Sequence, residues 1–173
     1  MKLPVNHIAY LSLGSNVSPR KETLLKAIHL IQKEYGTDKE ILISPFYESP
    51  PWGFEADTNF INLCLGVYTS KSPLEILEIN QTIEKTLGRK PKRSGTYESR
   101  PIDIDILFLG EFIISQEDLT IPHPHLAQRK FVLEPLNDIA SAFLHVSLNK
   151  SIGQLLSECA DTSELTKIGE MIG

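Results

Sequence analysis

Hydrophobic and polar residues alternate along four stretches of the chain, and this period of two predicts β-strands. Three of these stretches lie within the first 70 residues, at 7–14, 41–48 and 59–68. Pro45 marks the second strand as an edge strand or a bulged one. In the third strand every second residue from Ile61 to Val67 is aliphatic, which predicts a core face. Phe60 and Asn62 fall on the opposite face.

Apolar residues three or four positions apart predict two helices between these strands. The first helix is expected to have Ser18 as its N-cap and Pro19 at its first position, and Gly36 lies past its end. The second helix begins with the capping box Ser72-Pro73-Leu74-Glu75 and ends at Gly88.

The fourth strand, 100–108, reads Arg-Pro-Ile-Asp-Ile-Asp-Ile-Leu-Phe. Alternation predicts one apolar face, formed by Ile102, Ile104, Ile106 and Phe108. Asp103 and Asp105 then share the other face, with Cα atoms about 7 Å apart. Two carboxylates at that distance repel each other, so we expect a cation between them, and Mg²⁺ prefers such oxygen ligands. For an isolated Asp-x-Asp pair, a solvated face of an edge strand is the simpler interpretation.

The element order βαββαβ, with short connections, predicts an α+β fold of the ferredoxin-like sandwich kind. In that fold the first and third strands are central, and the last strand lies beside the first. The helices cover one face of an antiparallel sheet and leave the other face free for a ligand. We expect a single domain over 1–173 with its core at about 6–160. Extra C-terminal elements include a helix at 152–159, and the final dozen residues are expected to be frayed.

Composition narrows the class of protein. Of the 173 residues, 41% are hydrophobic and 23% are charged, as in ordinary soluble globular proteins. The net charge of −5 argues against general nucleic-acid binding, which needs a basic surface. No apolar run approaches 18 residues and the N-terminus lacks a signal-peptide layout, so we expect a cytoplasmic protein with no membrane partner. Cys64 and Cys159 have no metal-binding spacing and are interpreted as structural thiols.

A basic loop precedes the aspartate strand and contains four cationic residues, Arg89, Lys90, Lys92 and Arg93. The chain has no G-x-x-x-x-G-K-[ST] or G-x-G-x-x-G motif, so side chains would have to bind any phosphate. Arg100 lies three residues before Asp103. Cations beside paired carboxylates are typical of phosphoryl transfer, although a basic loop alone is more often solvated surface.

Aromatic and imidazole side chains suggest where a ligand would bind. Phe60 shares its strand face with Asn62, and a ring beside an amide indicates a flat polar heterocycle that is stacked and hydrogen-bonded. His123 lies between two prolines, which fixes its backbone, and Arg129 could meet the same anion. Taken singly, His123 is more simply a surface turn residue, and Phe60 and Phe131 are ordinary core candidates.

These features belong to an ordered set of motifs along the chain. The set comprises Gly14-Ser15-Asn16, the run from Phe46 to Gly53, Phe60-Ile61-Asn62, Glu84 with Gly88-Arg89, the run from Arg100 to Ile106, and the run from Ile121 to Leu136. Together they resemble the 6-hydroxymethyl-7,8-dihydropterin pyrophosphokinases of folate biosynthesis over roughly residues 8–140.

The resemblance implies transfer of pyrophosphate from ATP to the pterin, with AMP as the other product. It implies that Asp103 and Asp105 bind two Mg²⁺ ions that bridge the ATP phosphates, and that Arg100 and Arg89 act with them in catalysis. The loop 89–99 would be a mobile lid over both substrates. The resemblance also leaves room for association with other enzymes of the folate pathway.

The same resemblance implies a set of binding residues. Phe60 and Phe131 would stack on the two sides of the pterin. The other pterin contacts would come from Ser49, Pro50, Trp52, Asn62 and Tyr97, with Ser49 and Trp52 acting through their backbone. The ATP contacts would come from Gln81, Glu84, Arg89, Lys92, Arg100, His123 and Arg129.

Four positions depart from the family pattern. Glu98-Ser99 stands before Arg100 where the family commonly has Gly-Pro, which adds a carboxylate beside the phosphates. Tyr97 stands where another aromatic, often Trp, closes over the pterin. Asp118 occupies a position that is basic in some members, which would remove a phosphate contact.

Two other functions fit parts of the pattern. A palm-type nucleotidyl transferase or cyclase also sets paired aspartates on a ferredoxin-like sheet, but it would release pyrophosphate and would not need an aromatic pocket for a small heterocycle. A non-enzymatic ferredoxin-like module that binds RNA or a small ligand would not need Asp103 or Asp105, and the net charge of −5 counts against it.

Overall fold

The computed structural model describes residues 6–91 and 99–169 of the chain. Its strands are β1 (His7–Ser15), β2 (Leu42–Ile43), β3 (Phe46–Ser49), β4 (Phe60–Thr69), β5 (Asp103–Leu109), β6 (Ile114–Ser115), β7 (Thr120–Ile121), β8 (Leu144–His145), β9 (Lys150–Ser151) and β10 (Thr166–Gly169). Its helices are α1 (Arg20–Glu34), α2 (Pro73–Thr86), α3 (Lys130–Ala140) and α4 (Ile152–Glu158), with a 3₁₀ turn at Leu126–Gln128. The protein is therefore a mixed α and β structure.

The main sheet of the described residues has six strands, in the order β10-β3-β4-β1-β5, with β2 also paired to β4. Every strand pair in it is antiparallel. The two long strands β1 and β4 are central, and β5 lies beside β1. This is the strand arrangement that the element order predicts.

The second predicted strand is split in two at Ser44-Pro45, as the proline indicated. Here the ladder continues through a side chain, because the Ser44 hydroxyl accepts a hydrogen bond of 2.8 Å from the backbone N–H of Cys64. Ser44 N–H in turn donates to the carbonyl of Cys64 at 3.0 Å. After the split the strand resumes at Phe46 as β3 and ends at Ser49.

Helices α1 and α2 pack on one face of the sheet and bury its aliphatic residues. Leu11 and Leu13 of β1 and Leu63 and Leu65 of β4 are fully buried, and they share one core with Leu24 and its neighbours on α1. Full burial of one such side chain stabilises the folded state by about 1.5–3 kcal/mol, so this core is the main support of the sheet.

The opposite face of the sheet is not free of helices, contrary to the sequence prediction. Helices α3 and α4 cover part of it, where Tyr10, Cys64 and Phe108 pack against α3 residues Val132 and Leu136. The sequence pattern predicts no helix at this point, yet the apolar residues of 131–140 recur at helical spacing. A ligand on this face must therefore bind beside α3.

A β-bulge in β5 corrects a second prediction. The pairing with β1 steps from Tyr10–Phe108 to Leu11–Ile106, which leaves Leu107 as the extra residue. Phe108 therefore packs on the α3 face, and only Ile102, Ile104 and Ile106 share the core face as predicted. Asp103 and Asp105 precede the bulge and keep their common face.

The helix ends agree with the sequence in one case and differ in another. The capping box of α2 is present, since the Ser72 hydroxyl accepts from Glu75 N–H at 3.2 Å and the Glu75 carboxylate accepts from Ser72 N–H at 2.7 Å. Helix α1 begins one residue later than expected, because Pro19 rather than Ser18 is its N-cap and no side chain caps it. Gly36 has φ of +65°, which fits its position after the helix.

The C-terminal region is more ordered than the sequence predicted. Helix α4 lies where the sequence predicts a C-terminal helix, and β6 and β7 pair as a short antiparallel ribbon. The final dozen residues were predicted to be frayed, yet 166–169 form β10 and pair with β3. None of the helices in the described ranges is long and apolar enough to cross a membrane.

Candidate active site

A cleft of about 410 Å³ opens where four strands of the sheet end. The carboxyl ends of β1 and β3 and the amino ends of β4 and β5 meet there. All fourteen predicted site residues that lie in the described ranges line this cleft: Ser49, Pro50, Trp52, Phe60, Asn62, Gln81, Glu84, Arg89, Arg100, Asp103, Asp105, His123, Arg129 and Phe131. The remaining two, Lys92 and Tyr97, lie outside the described residues, as does most of the predicted lid.

Asp103 is held by two arginines. One oxygen of its carboxylate lies 2.9 Å from the guanidinium of Arg89 and 3.4 Å from that of Arg100. Arg89 also pairs with Glu84, whose carboxylate accepts a hydrogen bond of 3.0 Å from Ile104 N–H. Arg89 thereby bridges α2 and β5, which fixes its position at the edge of the cleft.

This network changes the pKa values of its members. Burial raises the pKa of Glu84, with the charge of Asp103 adding to the effect and Arg89 opposing it. For Arg89, burial works against the charged form, but Asp103 and Glu84 outweigh it and raise the pKa. The guanidinium therefore stays charged.

Asp105 lies beside His123, with 3.9 Å between its carboxylate and Nε2 of the imidazole. Burial, followed by repulsion from Asp103, raises the pKa of Asp105 to about 7. Burial and the charge of Arg129 lower the pKa of His123 to about 4, so the imidazole is neutral at pH 7. Nδ1 of His123 accepts a hydrogen bond of 3.1 Å from His125 N–H, which assigns the ring proton to Nε2, facing Asp105.

The residues described so far form a charged half of the cleft. The other half holds aromatic rings and the amide of Asn62. The amide of Asn62 donates a hydrogen bond of 2.7 Å to the Ser49 hydroxyl. Gly14 lies directly behind it, and a Cβ at that position would come within 2.8 Å of the Asn62 side-chain oxygen. A larger residue at position 14 would push the Asn62 amide out of its present position, so glycine preserves that position. Phe54 meets the ring of Phe60 edge to face, with 6.0 Å between centroids.

Arg129 stands between the two halves. Its guanidinium lies 4.7 Å from the ring centroid of Trp52 and 5.7 Å from that of Phe131. The side chain is buried, and its Nε has no hydrogen-bond partner in the described part of the chain.

The structure adds residues that the sequence reasoning missed. The cleft is also lined by Ser12, Gly14, Phe54, Leu77, Asn80 and His125. Asn80 accepts a hydrogen bond of 2.6 Å from the Tyr35 hydroxyl, and its position next to Gln81 on α2 was the available signal. Asn16 accepts from Arg100 N–H at 2.8 Å, which positions that arginine. The Gly-Ser-Asn motif was noted in the sequence, but no role was assigned to it.

The antiparallel sheet presents paired aspartates and several arginines beside a small aromatic pocket. This arrangement indicates a transferase that acts on a phosphorylated substrate. The family model described as 7,8-dihydro-6-hydroxymethylpterin-pyrophosphokinase (HPPK) matches residues 10–141. The chain belongs to this family. The expected kind of enzyme, a pyrophosphokinase of folate biosynthesis, is thereby confirmed.

Individual relatives agree with the family model. The 2-amino-4-hydroxy-6-hydroxymethyldihydropteridine pyrophosphokinase of Porphyromonas gingivalis is 42% identical over 135 residues, which cover 77% of this chain and 90% of the relative. The bifunctional protein FolKE of Lactococcus lactis subsp. cremoris is 40% identical over 135 residues, 76% of this chain and 37% of that longer protein. The crystal structure of Plasmodium falciparum HPPK-DHPS has a TM-score of 0.70 at 21% identity, covering 88% of this chain and 43% of that one. This last likeness concerns the fold.

Proposed function

We propose that the chain transfers the pyrophosphoryl group of ATP to 6-hydroxymethyl-7,8-dihydropterin, giving AMP and the pterin diphosphate, within one catalytic domain. The observation that carries the proposal is the convergence of the aspartate pair, the arginines and the aromatic pocket on one cleft of about 410 Å³. Such a volume lies in the range of small-molecule sites.

The pterin would occupy the aromatic half. Phe60 and Phe131 would stack on its two faces, because a flat ring gains most contact area between two aromatic rings. Asn62 would read its hydrogen-bonding edge, and its bond to Ser49 holds the amide in one orientation. Backbone groups of Ser49 and Trp52, with Pro50, would complete the edge. Tyr97 would close over the ring from outside the described residues.

ATP would occupy the charged half. Arg89, Arg100, Arg129 and the neutral His123 would contact its phosphates, and Gln81 and Glu84 of α2 would lie near it. Lys92, outside the described residues, would be a further phosphate contact. Cationic side chains held in advance by carboxylates need little reorganisation when the phosphates arrive, which favours the charged transition state.

The aspartate pair suits Mg²⁺. The raised pKa of Asp105, caused by burial and by Asp103, indicates negative charge that a cation would relieve. No group of three or more metal-ligating side chains of the His, Cys, Asp and Glu kinds is found among the described residues. Mg²⁺ needs only one or two carboxylates when substrate phosphates supply the other ligands. We infer that Asp103 and Asp105 hold two such ions, which when bound would neutralise phosphate charge.

The reaction forms one bond and breaks another. The hydroxymethyl oxygen of the pterin attacks the β-phosphorus of ATP and loses its proton, while the bond from that phosphorus to the bridging α,β oxygen breaks and AMP departs. The residues of this chain contribute orientation and charge, since the two halves of the cleft hold the hydroxyl and the phosphates in line. No side chain is assigned as a strong general base, because a loose transition state does not require one.

The strand order, with β1 and β4 central and β5 beside β1, supports a ferredoxin-like description of the sheet. Association with other folate enzymes is supported by the relatives, since FolKE is named as bifunctional and the Plasmodium protein is named as HPPK-DHPS.

The test replaces each aspartate in turn. Asp103→Ala and Asp105→Ala should each lower AMP formation by about a hundredfold or more, because the phosphate charge is then no longer neutralised. Far-UV circular dichroism should remain that of the wild type, since both side chains face the cleft rather than the core. Glu117→Ala, which removes an exposed carboxylate from the neighbouring ribbon, serves as the matched control. A variant of either aspartate that keeps most of its turnover would refute the proposed metal site.

A further inference from the structure

The contact between Trp52 and Arg129 joins the two halves of the cleft. Trp52 lies on the loop between β3 and β4, directly after Ser49 and Pro50, in the aromatic half. Arg129 is the N-cap residue of α3 and faces the charged half. The centre of its guanidinium lies 4.7 Å from the centroid of the indole ring.

Arg129 lacks the partners that a buried arginine usually has. The side chain is only 9% exposed. Its Nε is buried without a hydrogen-bond acceptor, and among the described residues no carboxylate lies within 4.0 Å of it. A buried charge without a close ion pair is unfavourable, and Asp105 acts on this one only from farther than 4.0 Å, so the ring faces of Trp52 and Phe131 are its nearest compensation among the described residues.

The two aromatic rings are not equivalent for this arginine. The Phe131 centroid is 5.7 Å from the guanidinium, a full ångström farther than that of Trp52. Indole is also the best of the aromatic faces for a cation, and the attraction is stronger away from water. Trp52 is therefore the side chain that sets the direction of Arg129.

We propose that the Trp52 side chain is a positioning residue for the phosphates of ATP. It holds the Arg129 guanidinium against the loop wall with its unsatisfied donors towards the phosphate site. Because Trp52 belongs to the same loop as Ser49 and Pro50, occupation of the phosphate site also restrains the loop that reads the pterin. This inference rests on the proposed function and adds to the backbone role of Trp52 a role for its ring.

A double-mutant cycle tests the contact directly. The affinity of the protein with Mg²⁺ for a non-hydrolysable ATP analogue is measured without pterin for the wild type, Trp52→Leu, Arg129→Gln and the double variant. Trp52→Leu should lower the affinity for the analogue about fivefold to tenfold. Trp52→Phe, which keeps a ring, should lower it less than threefold. In the Arg129→Gln background, Trp52→Leu should lower the affinity for the analogue less than twofold, because the ring then has no cation to hold.

Fluorescence supplies a readout that a merely structural role would not change. Trp52 is the only tryptophan in the chain, so all indole emission comes from this site. Saturating analogue should change the emission of the wild type when no pterin is present. In Arg129→Gln at saturating analogue, that change should be lost.

Two results would overturn the proposal. One is that Trp52→Leu binds the analogue within twofold of the wild type, and the other is that the losses of binding free energy in the two single variants add up to the loss in the double variant. Thermal unfolding of each variant, followed by circular dichroism, separates these results from loss of the fold. The cycle measures ATP-analogue affinity alone, so its outcome is separate from that of the proposed function, which fails only if the wild type forms no AMP with the pterin.

Discussion

At the scale of single residues, the two aspartates have different surroundings. Asp103 contacts two guanidinium groups, those of Arg89 and Arg100, within 3.4 Å. Among the described residues Asp105 makes no such close ion pair: the neutral imidazole of His123 lies at 3.9 Å, Arg129 and Arg100 act on its charge from farther away, and burial raises its pKa to about 7. The protein therefore compensates the charge of Asp103 more closely than that of Asp105. The proposed ions would therefore find their strongest attraction at Asp105.

A substitution of Phe131 tests the proposed stacking of its ring on the pterin. Phe131→Ala should weaken binding of 6-hydroxymethyl-7,8-dihydropterin by about tenfold or more, because a stacked ring loses one of its two aromatic faces. The same change should alter binding of a non-hydrolysable ATP analogue by less than threefold, since the ring is the more distant of the two that flank Arg129. Isothermal titration with each ligand separately gives both affinities.

A matched control for this change is Phe131→Leu, which keeps much of the apolar volume but removes the flat ring. It should still lose most of the pterin affinity if stacking is the cause. Equal losses for pterin and ATP analogue in Phe131→Ala would contradict the stacking role and would indicate a general disturbance of α3.

At the scale of elements, α3 is the support for one wall of the cleft. Its N-cap residue, Arg129, supplies no capping side chain. The backbone N–H of Lys130, at the start of the helix, instead donates to the Asp161 carboxylate at 3.1 Å. The Lys130 ammonium donates to the carbonyl of Ser163 at 3.2 Å. Residues after α4 thus cap the helix that carries Phe131. The same segment continues into β10, which pairs with β3, the strand that leads to the loop carrying Trp52.

This cap leads to a prediction for stability. Asp161→Ala should lower the free energy of unfolding by about 1 kcal/mol, the usual cost of losing a capping side chain. For a chain of this length, that corresponds to a fall in Tm of about 2–4 °C. Asp161→Asn keeps an acceptor oxygen and should lose much less. Differential scanning calorimetry would decide, and an unchanged Tm in Asp161→Ala would show that the C-terminal segment does not support α3.

The sequence predicted some elements well and others poorly, for physical reasons. In β4 the aliphatic residues from Ile61 to Val67 recur at every second position, so their period of two identified the core face. The end of the aspartate strand reads Ile-Leu-Phe-Leu, and an uninterrupted apolar run cannot show where a bulge reverses the faces. Helix α3 was missed because a short apolar run followed by Pro135 resembles a strand end as much as a helix. Strand β10 has four residues and depends on pairing with β3.

At the scale of the whole molecule, the cleft exists because four strand ends meet beside α2 and α3. The order of motifs along the chain identified the residues that gather there, from Ser49 to Phe131. It did not identify their mutual contacts. The pairing of Trp52 with Arg129 and the close approach of Gly14 to Asn62 join residues that are remote in sequence, and such contacts arise only from tertiary packing.

The central claim is that the chain moves a pyrophosphoryl group, and product analysis by ³¹P nuclear magnetic resonance tests it most directly. The protein is mixed with ATP, Mg²⁺ and 6-hydroxymethyl-7,8-dihydropterin, and spectra are followed against a sample without the pterin. We predict that AMP and a pterin diphosphate appear in equal amounts, and only when the pterin is present. Appearance of ADP with a pterin monophosphate, release of free pyrophosphate, or ATP that stays intact would contradict the claim.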